Sequence, residues 1–273
     1  MIDYSAGKVK VAKPNKLLIV QLWKTGCYFA FVSILCRNCN QSFSEEYRHC
    51  PHCGQKANLQ RLTLHNIFHD FLHAFTHFDK GILLLFRYLT IRPGKIAREY
   101  VDGKRKKYFN PFSFLVLMVG VAFFLVLKFE SLAFRHEDLA SGSREILHFS
   151  FNYFNVFIFL MAPVNALLGW LLFRKYKFFY AEYLVLWAYL TGQQMFYYCL
   201  FILLALVPLS LTVTGTVVGI LMSIWFVFAL IQFHQGKSVA NVVKAIILVI
   251  ISQVLLQAMV YVGFYLFGPV AAS

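Results

Sequence analysis

Charge is what this 273-residue chain has least of: 14% of its residues are Asp, Glu, Lys or Arg, against about 25% in ordinary soluble domains. Acidic groups are scarcest, 12 against 26 Lys and Arg, which leaves a formal net charge of +14. A soluble domain of this length would need more polar surface, so the shortage places most of the chain in the membrane class. No Asp, Glu, Lys or Arg stands in the middle of a long apolar run, which argues against an ion-coupled pump. There is no G-x-S-x-G, no H-E-x-x-H and no phosphate-cradling glycine loop, and no convergent set of nucleophile, acid and base. We therefore expect no enzymatic activity. Transporters built from repeated halves usually show paired broken helices, and Pro163 and Pro208 alone do not supply them.

What is present is hydrophobic: 59% of residues, with 30 phenylalanines. Five charge-free runs stand out, at 111–127, 154–173, 183–206, 212–233 and 245–267. Each approaches or exceeds the roughly 17 to 25 residues a helix needs to cross the hydrocarbon core. Isolated strands would leave backbone donors unsatisfied in lipid, so the expectation is an all-α integral membrane protein with five transmembrane helices. Trp170, Trp187, Tyr183, Tyr197, Tyr198 and Tyr265 fit either an interfacial aromatic belt or ordinary packing.

The scarce charge is distributed unevenly. Of the 26 Lys and Arg, 18 precede Pro111 and five more fall after the second and fourth runs, while only Lys128, Arg135 and Arg144 occupy the loop between the first and second. The positive-inside rule then puts the N-terminal region in the cytoplasm and the C-terminus outside. The net charge is explained by topology, and nucleic acid is not required as a partner.

Residues 1–35 are apolar and basic. "KLLIVQLWKTGCYFAFVSIL", Lys16 to Leu35, is long enough for a sixth span, but Lys24 would cost about 2.5 to 3.5 kcal/mol at its centre. Crossing would also place Lys8, Lys10, Lys13 and Lys16 on the wrong side, and no small-residue cleavage site follows. The segment reads as non-spanning, either interfacial, poorly ordered, or upstream of the true start.

Four of the six cysteines lie close together: Cys36, Cys39, Cys50 and Cys53 form C-x2-C-x10-C-x2-C over residues 36–56. Two such knuckles bring four thiolates to the corners of a tetrahedron about 2.3 Å from one Zn2+, a structural four-cysteine zinc ribbon. Pro51 fixes the approach to the second pair and Gly54 permits the turn after it. Iron suits the same donor set, and disulfides are the other use of paired cysteines, though a reducing cytoplasm favours metal. A closed shell of four thiolates leaves no position open for hydrolysis. Cys27 and Cys199 read as small apolar fillers.

Residues 57–110 connect the ribbon to the spans of 111–273. In "LTLHNIFHDFLHAFTHF", Leu64, Ile67, Phe68, Phe71, Leu72, Phe75 and Phe78 share one face of an amphipathic helix. His65, His69, His73 and His77 recur every four residues on the other side, drifting about 40° per step. They form a polar face, or a second metal or pH-sensing row. In "RPGKIAREYVDGKRKKYFNP" the basic residues Arg92, Lys95, Arg98, Lys104, Arg105, Lys106 and Lys107 outnumber Glu99 and Asp102. Such a collar attracts anionic lipid head groups, fixes topology, or meets a protein or nucleic-acid partner.

"CPHCGQ", "THFDKG" and "RPGKIAREYVDGKRKKYFNPF", followed by hydrophobic spans, together resemble the bacterial membrane-protein family catalogued as domain of unknown function 3667. The resemblance runs from Cys36 to about Leu125; residues 1–35 depart from the family's usual short start. It implies a zinc-ribbon head, a juxtamembrane motif and a bundle in the bacterial inner membrane, and no established activity.

Inside the spans, Asn165, Gln193, Gln194, Gln232, Gln253 and Gln257 must find partners. Amide contacts between helices are worth about 0.6 to 2 kcal/mol each, and Gln253 with Gln257 lies on one helix face where homo-oligomers could meet. The expected function is a membrane-anchored zinc-ribbon adaptor or sensor that engages a cytoplasmic protein or anionic lipid. A small transporter or channel component, with metal among its candidate cargoes, is the alternative that the amides would support.

Overall fold

A computed structural model describes residues 2–3, 8–13, 16–22, 28–59, 61–64, 82–133, 141–204, 211–236 and 238–271, with side chains from Ser33 onward except at some helix positions. The chain divides into two compact units, Met1–Arg61 with Glu99–Tyr108, and Leu62–Arg98 with Phe109–Ser273. This differs from the sequence-based division at 56/57 and 110/111. The stretch read as one connector is shared: its last residues bond to the cysteine-bearing segment, and its earlier ones pack in the helical unit.

The first unit opens with a meander of five antiparallel strands in sequence order: β1 (Ile2–Asp3), β2 (Lys8–Lys13), β3 (Lys16–Leu22), β4 (Tyr28–Leu35) and β5 (Ser42–Ser44). Lys16 pairs with Ile34 and Leu22 with Tyr28, and β4 continues into the ribbon through Ser33 opposite Ser44. The segment expected to be non-spanning forms paired strands here, where no regular structure had been assigned to it. Val9, Val11, Ile19, Val20, Val32 and Ile34 stiffen extended backbone, and β-branched repeats favour a ladder over a surface helix.

The second unit is helical: α1 (Ile82–Ile91), the start of α2 (Pro93–Val101), α3 (Pro111–Ala133), α4 (Ser141–Leu172), α5 (Tyr180–Leu204), α6 (Leu211–His234) and α7 (Val239–Ala271). Asn110 caps α3, its Oδ1 accepting from the Phe112 and Ser113 amides at 2.9 and 3.3 Å, with Pro111 in the first-turn position that needs no donor. Glu182 reaches back to the Phe179 amide at 2.8 Å, half of a capping box at the start of α5.

α5 is the central helix. Tyr183, Val185, Leu186, Tyr189, Leu190, Gln193 and Met195 are fully buried on it, and α3, α4, α6 and α1 all pack against it. A helix apolar on every side is expected to be enclosed in this way. Gly192 lets α3 approach, because a Cβ there would stand 2.6 Å from the Phe114 ring. Trp187 and Tyr183 are core side chains, so of the two readings given for the aromatics, packing holds for these two.

The five long helices occupy the five charge-free runs. Two of them are long and apolar enough to cross a membrane, Val213–His234 (22 residues) and Val239–Phe267 (29 residues); Pro111–Val126 and Val156–Leu172 are shorter apolar helices. Five spans were expected, and among the described residues length and composition mark two.

Candidate metal centre

The four cysteine sulfurs lie within 4.8 Å of one another. Cys36 Sγ is 3.5 Å from Cys53 Sγ and Cys39 Sγ is 3.7 Å from Cys50 Sγ, close to the ~3.8 Å edge of a tetrahedron built on 2.3 Å bonds. All four thiols are unbridged. The donor set therefore fits one tetrahedral ion, zinc or iron, held by both knuckles with no fifth protein ligand among the described residues.

Each knuckle is built the same way. The Cys36 amide donates to Gln41 O at 2.9 Å and the Asn40 amide to Cys36 O at 3.0 Å; the Cys50 amide donates to Gln55 O and the Gly54 amide to Cys50 O, both at 2.8 Å. The residue after each second cysteine is left-handed, Asn40 at φ 58° and Gly54 at φ 70°. Glycine meets no steric penalty there and asparagine is among the few side chains that tolerate it. Sequence reading identified Gly54 and missed Asn40. Phe43, buried against Cys36 and Cys50 with Ile34 and Ala57 at its edge, supplies a small apolar core.

The thiols differ in acidity. Burial works to raise Cys53, yet the Asn38 side chain, the Gln55 amide and the neighbouring cysteines bring it down to about 7. The Gln41 amide favours the Cys39 thiolate, but burial and three adjacent sulfurs push that thiol up to about 12. Burial also raises Cys36. Without a cation the cluster resists holding four negative charges, and a divalent ion removes that resistance by taking all four as thiolates.

The basic segment belongs to this same unit. At the end of α2 the Gly103 amide donates to Tyr100 O at 3.1 Å and the Lys104 amide to Glu99 O at 2.9 Å, a Schellman ending with Gly103 at φ 117°. Gly103 also packs on Arg37, whose Cδ would stand 3.0 Å from an added Cβ. The Lys106 amide donates to Oε1 of the buried Gln55 at 3.1 Å, which ties the segment to the second knuckle. Beneath it, Glu99 accepts from the Tyr108 hydroxyl at 2.6 Å and pairs with Lys104 and Lys107 at 3.3 and 3.4 Å. Burial would raise the Glu99 carboxyl, but Tyr108, Lys104 and Lys107 hold it below the ordinary value.

The collar is thus divided in role. Lys106 and Lys107 are exposed, Lys104 and Arg105 half-buried. Upstream, in the helical unit, Arg92 and Lys95 are exposed, while Arg98 lies 4.6 Å over the Phe178 ring and donates to Phe233 O at 3.2 Å. Gly94 sits hard against α6: an added Cβ would overlap Ala229 O and stand 2.5 Å from the Phe233 amide. His65, His69, His73 and His77 lie outside the described residues.

Of the amides, Gln193 is fully buried and donates to Thr90 Oγ1 at 3.2 Å. Gln232 Oε1 accepts from the Lys95 amide at 3.4 Å. Asn165 is buried, Gln194 and Gln253 half-buried, and Gln257 exposed. His234 was not singled out from sequence. It is buried, stacked on Phe173 at 4.0 Å, donates from Nδ1 to Leu230 O at 2.7 Å and meets the Tyr183 hydroxyl through Nε2 at 2.8 Å. A lone histidine at the end of an apolar run gives no signal for that role.

Residues 79–123 match the family described as protein of unknown function (DUF3667). The matched stretch holds α1, α2, the Glu99–Tyr108 segment and the first half of α3, while the four cysteines precede it. No curated protein and no solved structure matches the chain.

Proposed function

We propose that this chain is a five-span protein of the bacterial inner membrane whose cytoplasmic head holds one structural zinc and presents a basic loop to a cytoplasmic protein or to anionic lipid. The observation that carries this reading is that the two cysteine knuckles and the Glu99–Tyr108 segment fold as one unit. Lys106 and Lys107 are exposed on it, as are Arg37, Arg48 and Lys56 of the knuckles. A closed metal shell beside exposed cations supplies a recognition surface and no reacting group, which is why we read the head as an adaptor or sensor and the chain as a non-enzyme.

The membrane assignment is supported by the side chains that face outward. Phe123 and Phe124 on α3, Phe159 and Leu167 on α4, Ile220 and Ile224 on α6, and Ile250 and Val254 on α7 are all exposed, whereas the central polar groups turn inward. Apolar surface this extensive requires a covering, and lipid covers all the outer helices at once. The charge distribution supports a head on the cytoplasmic side.

A photoreactive residue placed at Lys106 of the full chain in cells tests the reading. Crosslinks to one cytoplasmic protein or to phospholipid, lost when the cysteines are replaced by serine, support it. Crosslinks that persist unchanged without the cysteines, or that form only to water-soluble metabolites, overturn it.

A further inference from the structure

α4 ends at Leu172 and α7 begins at Val239, and two hydrogen bonds join these ends into one corner of the helical unit. Lys244 Nζ donates to Leu172 O at 3.0 Å, and Asn241 Nδ2 donates to the Tyr176 hydroxyl at 2.6 Å. The single turn between α4 and α5, Arg174–Tyr176, is fixed from within. The Tyr176 amide donates to Phe173 O and the Lys177 amide to Arg174 O, both at 3.0 Å. Phe173, buried and stacked on His234, anchors the turn.

Positive charge gathers at this corner without an exposed counter-charge. Arg174, Lys175 and Lys177 are exposed and Lys244 is half-buried. After Glu145 the chain carries one acidic side chain, Glu182, which is 3% exposed and accepts from the Phe179 amide. The cations therefore face outward unneutralised, and their positions are partly set in advance. The Arg174 guanidinium carbon lies 4.8 Å over the half-buried Trp170 ring, and the Lys175 ammonium 5.0 Å over the Tyr176 ring. A ring beneath the guanidinium holds the side chain in place without using its N–H donors, which remain for a phosphate.

The flanks of the corner decide which phosphate fits. α4 and α7 pack side by side, and each carries an exposed apolar stripe away from it: Leu171, Leu167 and Leu160 on α4, Val243, Ile247 and Val254 on α7. Steps of four and seven keep each stripe on one helix face. At 1.5 Å per residue each stripe covers about 17 Å, close to the depth of one leaflet in a hydrocarbon core about 30 Å thick. Cations at the end of an apolar run, with apolar side chains over one leaflet's depth beside them, match the two parts of a phospholipid. A nucleic acid or a soluble acidic protein would use the cations alone and leave the stripes uncovered.

We propose that this corner binds an anionic phospholipid of the cytoplasmic leaflet, its headgroup phosphate held by Arg174, Lys175 and Lys244 and its acyl chains laid along the α4 and α7 stripes. The proposal rests on the reading of the long helices as membrane spans, and goes beyond it in placing a lipid site wholly within the helical unit.

Native mass spectrometry of the full chain released from detergent counts the lipids retained. The Lys106→Gln, Lys107→Gln chain serves as background, which removes the exposed cations of the head loop. When phosphatidylglycerol and phosphatidylcholine with the same acyl chains are added together, phosphatidylglycerol should be retained in preference. Glycerol 3-phosphate, which has the charge and no chains, should not displace it. Arg174→Gln with Lys175→Gln should weaken retention by about 25-fold, about fivefold for each cation removed. Thermal unfolding without lipid shows whether that chain is folded; if it is not, Lys175→Gln alone is read, with about fivefold expected. Equal retention of the two lipids, displacement by glycerol 3-phosphate, or a phosphatidylglycerol preference that survives loss of the cations overturns the proposal and leaves these residues a topological role. A chain that stays in solution without detergent overturns the membrane reading as well, so the two failures are told apart.

Discussion

Tyr108 donates its hydroxyl to the Glu99 carboxylate at 2.6 Å and so closes the basic segment on itself. Lys104 and Lys107 reach the same oxygen from the rim. The charges of the collar are therefore organised around one anion, 17% exposed, where repulsion alone would hold them apart.

Tyr108→Phe should cost the head about 1.5 to 3 kcal/mol, the range for a hydrogen bond to a charged group. The ion pairs contribute less, about 0.2 to 1 kcal/mol each, because Lys107 is exposed and Lys104 is partly so. Hydrogen exchange of the Gly103, Lys104 and Lys106 amides would report the change as faster exchange confined to this segment. Unchanged exchange would mean that the Schellman ending and Gln55 hold the loop unaided.

The same carboxylate makes the segment sensitive to acid. Its folded pKa lies below the ordinary 4.5. The contribution is therefore complete above 4.5 and is lost as pH falls through the lower folded value. Exchange protection of the segment should weaken below about pH 4.5 in the native chain and show a shallower dependence in Glu99→Gln, which has no proton to gain there.

Replacing Cys50 and Cys53 together by serine should abolish metal binding, measured by mass spectrometry as one zinc per native chain and none per variant. Among the described residues the knuckles have the Phe43 cluster as their core, too little to fold a segment of this size alone. Metal removal should therefore also expose the Lys106 amide, which relies on Gln55 beside the second knuckle. A head that stayed protected without metal would transfer the structural role to the strands.

How much of this was legible depended on whether a feature is local. C-x2-C pairs carry their geometry in their spacing, so the four-cysteine cluster could be read directly, and charge-free runs mark the five long helices as plainly. Asn40 was not legible, because asparagine occurs in many contexts and only the repeated hydrogen-bond pattern assigns it the part Gly54 plays. The strands before Cys36 were hidden by composition: apolar and β-branched residues suit many settings, and only the pairing, as of Ser33–Leu35 with Ser42–Ser44, assigns them to a ladder. Thr90 depends on partners far away in sequence, Gln193 and Tyr197, which no window of residues reveals.

The R-P-G turn gives a sharper test of the helical unit. Pro93 starts α2 where a missing amide hydrogen costs nothing, and Gly94 allows that start to press on the backbone of α6. Gly94→Ala is compatible with helix and by propensity alone would stabilise by up to about 1 kcal/mol. Contact decides the opposite sign, because the new methyl meets Ala229 O and the Phe233 amide, which are backbone and cannot rotate away. The cost of such overpacking is about 1 to 3 kcal/mol. The displacement should also break the Arg98 bond to Phe233 O and the Lys95 bond to Gln232. Thermal unfolding in detergent should therefore begin at lower temperature in Gly94→Ala, with Gly120→Ala as the control, since nothing lies within 4 Å of an added Cβ at that position. If Gly94→Ala and Gly120→Ala unfold alike, α2 does not pack against α6 as described, and the exposed and buried halves of the basic collar would have to be reassigned.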